Sequence, residues 1–341
     1  MSFSINKLSK FGVVSMKKVN IGVIGVGYWG KKVLSEYAQL AKGNPEVSLL
    51  GACDMSENNL KFCEDYSLPF MTKYYNEVLA CPEIDAVHIC TPSETHYEIC
   101  KEALEAGKHV IVEKPMTLNS GEAYKLVDLA REKGLILSVG HIFRFNNALQ
   151  KVRNLITDGF FGDLFWLKLQ WTAFMPLMVG RDIITDLAPH PFDILNFLLN
   201  DWPSKITCKA KAYRTEKQEE TAHIIAELKN NIMANMELSW LNPQRAREVS
   251  VMGSKGFVKI DCLTQEVNSF ENGHFHNLSF ERNNTIAAEL AHFTDCINNN
   301  HVSNNGYPNR NNGLLGANVV KLLEAARRSM ENERTERVEF S

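Results

Sequence analysis

The sequence predicts an α/β protein: a doubly wound parallel sheet in the first half, joined to an α+β half with a large, mostly antiparallel open sheet. Three observations carry that expectation. Residues 19–30, Val-Asn-Ile-Gly-Val-Ile-Gly-Val-Gly-Tyr-Trp-Gly, run from an apolar strand into glycines at 25, 27 and 30. From there to Val139, short apolar runs alternate with helix-period segments, the rhythm of a parallel sheet with crossover helices. Beyond about Phe143 strand-like segments follow one another with few helices between, as in antiparallel sheets.

The first strand feeds a helix over Tyr28–Ala41, and a second strand, Val47–Cys53, ends in Asp54. In that context Gly25 permits a tight turn, Gly27 lets the backbone approach a pyrophosphate, and Gly30 lets helix and strand pack closely. Tyr28, Trp29 and Gly30 would open the helix whose free N–H groups receive the diphosphate. Asp54 would accept the ribose hydroxyls and repel a 2′-phosphate, which favours NAD over NADP. A glycine turn in another βαβ unit, with Asp54 as a helix N-cap, is the plain alternative.

The alternation continues through a helix at Glu57–Tyr66, a strand near Pro69–Met71 and a helix at Tyr75–Ala80. A strand at Asp85–Cys90 leads into Thr91-Pro92-Ser93, and a helix over Thr95–Ala106 closes on Gly107. Lys108–Glu113 is the next strand, with Lys114-Pro115 at its carboxyl end; a helix over Ser120–Lys133 and a strand at Leu135–Val139 follow. Ligands of such sheets bind beyond the carboxyl ends of the strands. The rule gathers Gly25–Gly30, Asp54, Thr91–Ser93, Glu113–Pro115 and Gly140–His141 around one crevice. In the second half a helix at Ala148–Asp158 precedes strands at Phe165–Phe174, Lys205–Tyr213, Ala222–Leu228, Met233–Leu241, Glu248–Met252 and Gly256–Ile260. Helices should cover one sheet face and a second subunit the other. Asn298–Gly313 reads as a loop, Leu314–Met330 as a helix, and Glu331–Ser341 as a frayed end.

The expected boundaries are an extension over residues 1–16, a dinucleotide domain over 17–142 and a substrate and oligomerisation domain over 143–341. A chain of 341 residues with net charge −3 and interspersed charges has neither a basic stripe for nucleic acid nor an acidic tail. No apolar run reaches membrane-span length, and the first fifteen residues lack the features of a signal peptide. The eight cysteines form no C-x-x-C pair and read as reduced cytoplasmic thiols. The histidines outside the motifs, His274, His276, His292 and His301 among them, show no ligand spacing, so no metal is expected. Asn283-Asn-Thr285 matches a glycosylation sequon that carries nothing without export.

Glu113-Lys114-Pro115 after such a nucleotide fold resembles the E-K-P motif of the Gfo/Idh/MocA oxidoreductases. Thr91-Pro92 with His96, Ala106–Val110, Gly140-His141 with Arg144-Phe145-Asn146, and Asp186 with His190 and Asp193 extend the resemblance over nearly the whole chain. It implies a Rossmann domain, a dinucleotide held by Gly25, Gly27, Tyr28, Trp29, Gly30, Asp54, Thr91, Pro92, His96, Glu113 and Lys114, and a catalytic Lys114. An ammonium at that strand end can stabilise the alkoxide that develops during hydride loss, where otherwise it is a surface lysine before a turn. Thr185–Leu195 reads as an amphipathic helix whose Pro189 and Pro191 must fall in the first turn. His190 would then stand near a positive dipole end, neutral and able to take a hydroxyl proton; a packing histidine is the alternative. Asp186 would orient the ring or substrate, or only begin a helix. Ala188, where the family commonly has glycine, and Asn147, where it often has proline, are departures.

Arg144 and Asn146 would line the substrate side or pair at a hinge. Trp240–Arg245 with Arg247 resembles members acting on nucleotide sugars such as UDP-N-acetylglucosamine or its uronate, where an arginine could meet the diphosphate; Arg181 is a further anion candidate. The expected function is NAD-dependent hydride transfer at a secondary hydroxyl of a sugar or nucleotide sugar by a homodimer or homotetramer. A myo-inositol, polyol or free-sugar dehydrogenase is the nearest alternative, and a non-catalytic dinucleotide-sensing regulator the alternative of another class.

Overall fold

The computed structural model describes residues 18–177, 181–216, 218–271, 273–299 and 309–340. The first half builds a parallel sheet from β1 (Val19–Ile24), β2 (Val47–Cys53), β3 (Phe70–Thr72), β4 (Ala86–Ile89), β5 (His109–Val112) and β6 (Leu137–Val139). The strands lie in the order β3-β2-β1-β4-β5-β6. Chain order reverses between β1 and β4, so the loops after those strands splay apart and leave a crevice at their carboxyl ends. The crossovers are α1 (Tyr28–Gly43), α2 (Glu57–Glu64), α3 (Tyr75–Ala80), α4 (His96–Glu105) and α5 (Ser120–Lys133). Asn119 caps α5 by accepting from the Glu122 N–H, and Gly134 ends it in the left-handed conformation.

The second half opens with α6 (Asn147–Thr157) and β7 (Leu164–Phe174). Then come α7 (Ile183–Leu187) and α8 (Pro189–Leu199). The expected single helix over Thr185–Leu195 is thus two, because Pro189 has no N–H with which to continue the first; it becomes the opening residue of the second. The strands β8 (Lys205–Lys211), β9 (Thr221–Glu227), β10 (Met233–Ser239), β11 (Leu241–Gly253), β12 (Phe257–Asp261), β13 (Glu266–Glu271), β14 (His274–Asn277) and β15 (Glu336–Arg337) complete a nine-stranded sheet around β7. Its order is β14-β13-β12-β11-β7-β10-β9-β8-β15. Only β7 and β10 pair parallel.

Two helices unassigned or misjudged at their ends tie the halves together. From α9 (Thr285–Asn298), Leu290, Phe293 and Cys296 join the cluster of Val33, Leu34 and Tyr37 on α1. From α10 (Gly313–Asn332), Ala317 and Val320 pack with Leu126 of α5 and Val139 of β6. The charged end expected to fray instead pairs with β8 through Glu336–Arg337, because Val338 has an apolar place to go: it is 5% exposed, and its N–H donates to the Ser204 carbonyl. Residues 1–16 and most of the Asn298–Gly313 run lie outside the described residues. The eight cysteines are free thiols. Among the described residues no helix is long and apolar enough to cross a membrane.

Candidate active site

A cleft of about 760 Å³ runs along the carboxyl ends of the parallel strands and is roofed by the second half. Tyr28 and Trp29, which follow the glycine turn, are part of its lining. Gly25 sits at φ +89°, and a Cβ there would lie 2.8 Å from the Cys90 backbone. A Cβ on Gly30 would lie 1.9 Å from the Gly25 carbonyl oxygen, so α1 can dock on β1 only without one. Gly27 is different. Nothing lies within 4 Å of the place its Cβ would take, and its φ of −72° suits any residue. The protein's own packing does not ask for glycine there, whereas a diphosphate resting on the start of α1 does, and the loop therefore fits a dinucleotide.

Around that loop, Asp54 accepts from the Val26 N–H at 2.7 Å and the Ser56 N–H at 2.8 Å. Ser56, not Asp54, is the cap residue of α2. The ring nitrogens of His96 lie 2.9 Å from the Thr91 and Pro115 carbonyl oxygens, so this buried histidine braces the Thr91-Pro92 turn against the segment that carries Lys114. Burial lowers its pKa. Trp29 donates its indole N–H to Glu113 at 2.6 Å, closing the glycine loop over the end of β5. Gly140 makes room for that carboxylate, since a Cβ would come within 2.7 Å of it.

Lys114, Asp186 and His190 all line the cleft. Lys114 Nζ donates to the Asp186 carbonyl at 2.8 Å and lies 3.5 Å from its carboxylate. The other Asp186 carboxylate oxygen accepts from the Trp240 indole at 3.2 Å. His190 lies beyond the α7–α8 break with its ring edge-on to Phe143, 5.1 Å between centroids. Its pKa falls well below the usual 6.5, chiefly through burial and then through the charges of Lys114 and Arg247. The imidazole is neutral, as the sequence suggested, but burial rather than a helix dipole is the leading cause.

Arg181, Arg245 and Arg247 line the cleft too, and among the described residues none has a carboxylate in ion-pair reach. With Lys114, which is paired with Asp186, the lining holds four cations against the carboxylates of Asp186 and Glu113. Arg247 donates to the Thr172 and Ala246 carbonyls, and burial with neighbouring Arg245 lowers its pKa to about 10. Arg144 and Asn146 are elsewhere. Arg144 donates to Asp193 at 2.5 Å and to Asn196 at 2.7 Å, so its charge is spent on α8. Asn146 caps α6 and donates to the Cys262 carbonyl. Their hinge alternative, not the substrate one, matches these contacts.

Sequence reasoning passed over several lining residues. Asn283, Asn284 and Thr285, read as an idle sequon, border the cleft, as does Gln265. Trp240 was named only as part of a resemblance, and its indole bond to Asp186 has no signal in linear spacing. Strand pairing also brings His88, Cys90 and Glu113 together, a juxtaposition that linear spacing does not show.

Residues 19–141 match the family described as "Oxidoreductase family, NAD-binding Rossmann fold" and residues 149–259 the C-terminal domain of the same Gfo/Idh/MocA group. The chain is 27% identical over 294 residues to a UDP-N-acetylglucosamine 3-dehydrogenase of Acidithiobacillus ferrooxidans, spanning 83% of this chain and 90% of that protein. A solved structure of that enzyme superposes with a TM-score of 0.81 at 27% identity, covering 93% of this chain and 99% of the other. Myo-inositol 2-dehydrogenase of Thermotoga maritima is 23% identical over 344 residues, 94% of this chain and 99% of that protein.

Proposed function

The chain belongs to the Gfo/Idh/MocA oxidoreductase family with its NAD-binding Rossmann domain, and from that premise we propose that it oxidises or reforms a secondary hydroxyl of a nucleotide sugar. The observation that carries the reading is the shared cleft: Tyr28 and Trp29 at the start of α1, Lys114, Asp186, His190 and three arginines without a carboxylate partner among the described residues all border it. When bound, the nicotinamide accepts or returns the hydride.

The residues do the rest. Lys114 donates to the substrate hydroxyl oxygen and steadies the alkoxide as the hydride leaves. His190, neutral at physiological pH, takes the hydroxyl proton, and a ketone results. Asp186, anchored by Trp240, holds the Lys114 ammonium in place. Gly27 and the first turn of α1 would receive the dinucleotide phosphates, Asp54 would hold the adenosine ribose, and Thr91, Pro92 and Glu113 would contact the rest of the cofactor. Four lining cations against two carboxylates favour an anionic substrate such as a sugar diphosphonucleoside, with Arg245 and Arg247 at its diphosphate and Arg181 as a further contact.

NADH absorbance followed over a panel of UDP-sugars, the matching free sugars, and polyols including myo-inositol tests the reading. UDP-N-acetylhexosamines or their uronates should turn over best. Turnover confined to myo-inositol or another uncharged polyol overturns the nucleotide-sugar assignment. Intact NAD binding without turnover on any substrate turns the protein into a sensor.

A further inference from the structure

Where Cys90 and Glu113 line the cleft, they and the buried His88 form a set to which the proposed hydride transfer gives no proton or hydride. His88 and Cys90 are two residues apart where β4 ends, so their side chains leave on one side of the sheet. Ile89 pairs with Val112 on β5, which brings the next residues, Cys90 and Glu113, alongside each other. One ligand-type atom from each of His88, Cys90 and Glu113 lies within 4.8 Å of the other two. His88 Nε2 is 3.2 Å from Glu113 Oε1.

The surroundings are buried and short of positive charge. Tyr37 and His88 are 0% exposed and Glu289 1%. The Tyr37 hydroxyl and His88 Nδ1 have no hydrogen-bond partner among the described residues. Cys90, Glu113 and Glu289 are close enough that charge on one opposes charge on the others. Lys114 is turned to Asp186 and leaves this group uncompensated. Buried polar groups normally find partners, and buried carboxylates a cation.

We propose that His88, Cys90 and Glu113 form a binding site for one zinc-type divalent cation, entered from the cleft, with its fourth position open to it. A tetrahedral ion with bonds of about 2.0–2.3 Å needs donor atoms roughly 3.2–3.8 Å apart, a span the trio brackets. Mixed imidazole, thiolate and carboxylate donors suit zinc or cobalt; magnesium and calcium want oxygen alone. On binding, the Cys90 thiol gives its proton to solvent and its sulfur lone pair to the metal, with no change of oxidation state. Glu113 Oε1 accepts from the Trp29 indole and also lies against His88 Nε2, so an ion bound there replaces the His88–Glu113 contact while the indole bond to the carboxylate remains. Glu289 and Tyr37 stand around the ion, close enough for its charge to offset that of the carboxyls.

The full chain, stripped with a chelator, is titrated with Co²⁺. One equivalent should raise a thiolate-to-cobalt charge-transfer band that zinc then bleaches. C90S should abolish the band and H88Q should weaken cobalt binding at least about tenfold, with circular dichroism reporting that both remain folded. Because either variant could unfold, zinc-edge X-ray absorption on the unsubstituted chain gives an independent reading: one sulfur near 2.3 Å and nitrogen or oxygen near 2.0–2.1 Å. A missing band, a band that survives C90S, or an all-oxygen zinc shell overturns the site.

Discussion

Lys114 Nζ is held by Asp186, and Asp186 by Trp240, so the ammonium is aimed before any substrate arrives. On the proposed chemistry Lys114→Ala removes the group that would meet the developing alkoxide, and we expect kcat to fall by about 10²–10³-fold. NADH affinity, read by fluorescence titration, should change little; an equal loss in both would make the lysine a cofactor-binding residue only. Three histidines share a second expectation. Burial lowers the pKa of His96, His141 and His190, so each stays neutral in the folded chain at pH values where the unfolded chain binds a proton. Their contribution is complete above the unfolded value of about 6.5 and is lost as pH falls toward the folded ones, by up to about 1.4 kcal/mol per pH unit for each histidine. Urea midpoints should therefore drop from about pH 7.5 to about pH 5.5; a flat profile would mean that these rings take up protons in the folded state. Lys114, Asp186 and His190 could be chosen from sequence because their motifs are short and ordered. The role of Arg144 could not, since its partners Asp193 and Asn196 are 49 and 52 residues away and only the turn of α8 presents both.

Among the elements, the strand-turn-helix at Val19–Gly43 separates binding from folding. Gly30→Ala drives a methyl into the Gly25 carbonyl and should cost about 3 kcal/mol of stability. Gly27→Ala meets nothing in the protein, so the melting temperature should hold while NADH affinity drops about tenfold or more, roughly 1.4 kcal/mol. If Gly27→Ala binds NADH normally, the diphosphate rests elsewhere. The parallel half was legible almost strand by strand, because strands buried on both faces are continuous apolar runs bounded by glycine, proline or a capping residue. The region after Asp261 was not. Strands β13 and β14 carry polar and aromatic residues on an exposed hairpin, and α9 begins in a stretch of asparagines that reads as loop until Asn284 is seen accepting from the Ile286 and Ala287 N–H groups. A single proline explains the other misreading, since Pro189 divides what apolar spacing alone makes one helix.

At the scale of the whole molecule, helices among the described residues cover one face of the nine-stranded sheet. Leu167, Leu169 and Trp171 of β7 turn inward to the core that includes Phe192 and Leu195 of α8 and Leu322 of α10, while the alternate residues turn out. Strand register lines those outward residues up across the sheet. Met233 pairs with Trp166, Trp166 with Met252, Met252 with Phe257, Phe257 with Phe270, and Phe270 with Phe275. One apolar row thus crosses six strands, from β10 to β14, and Met233, Phe270 and Phe275 are 48%, 37% and 68% exposed. No single strand announces it, because each contributes one or two residues between polar neighbours such as Lys168, Asn235 and Lys259. A row of this kind marks an interaction surface. Stable association needs roughly 800 Å² buried per partner, and a second copy of the sheet laid across the row is the occupant expected of it. Light scattering should give a mass of two or four chains at micromolar concentration. Phe270→Glu places a charge in the row at a position that the monomer's own packing does not require, so it should shift the mass to one chain while the circular dichroism stays unchanged. A native mass of one chain, or a variant that still associates, would leave the row without the partner expected of it.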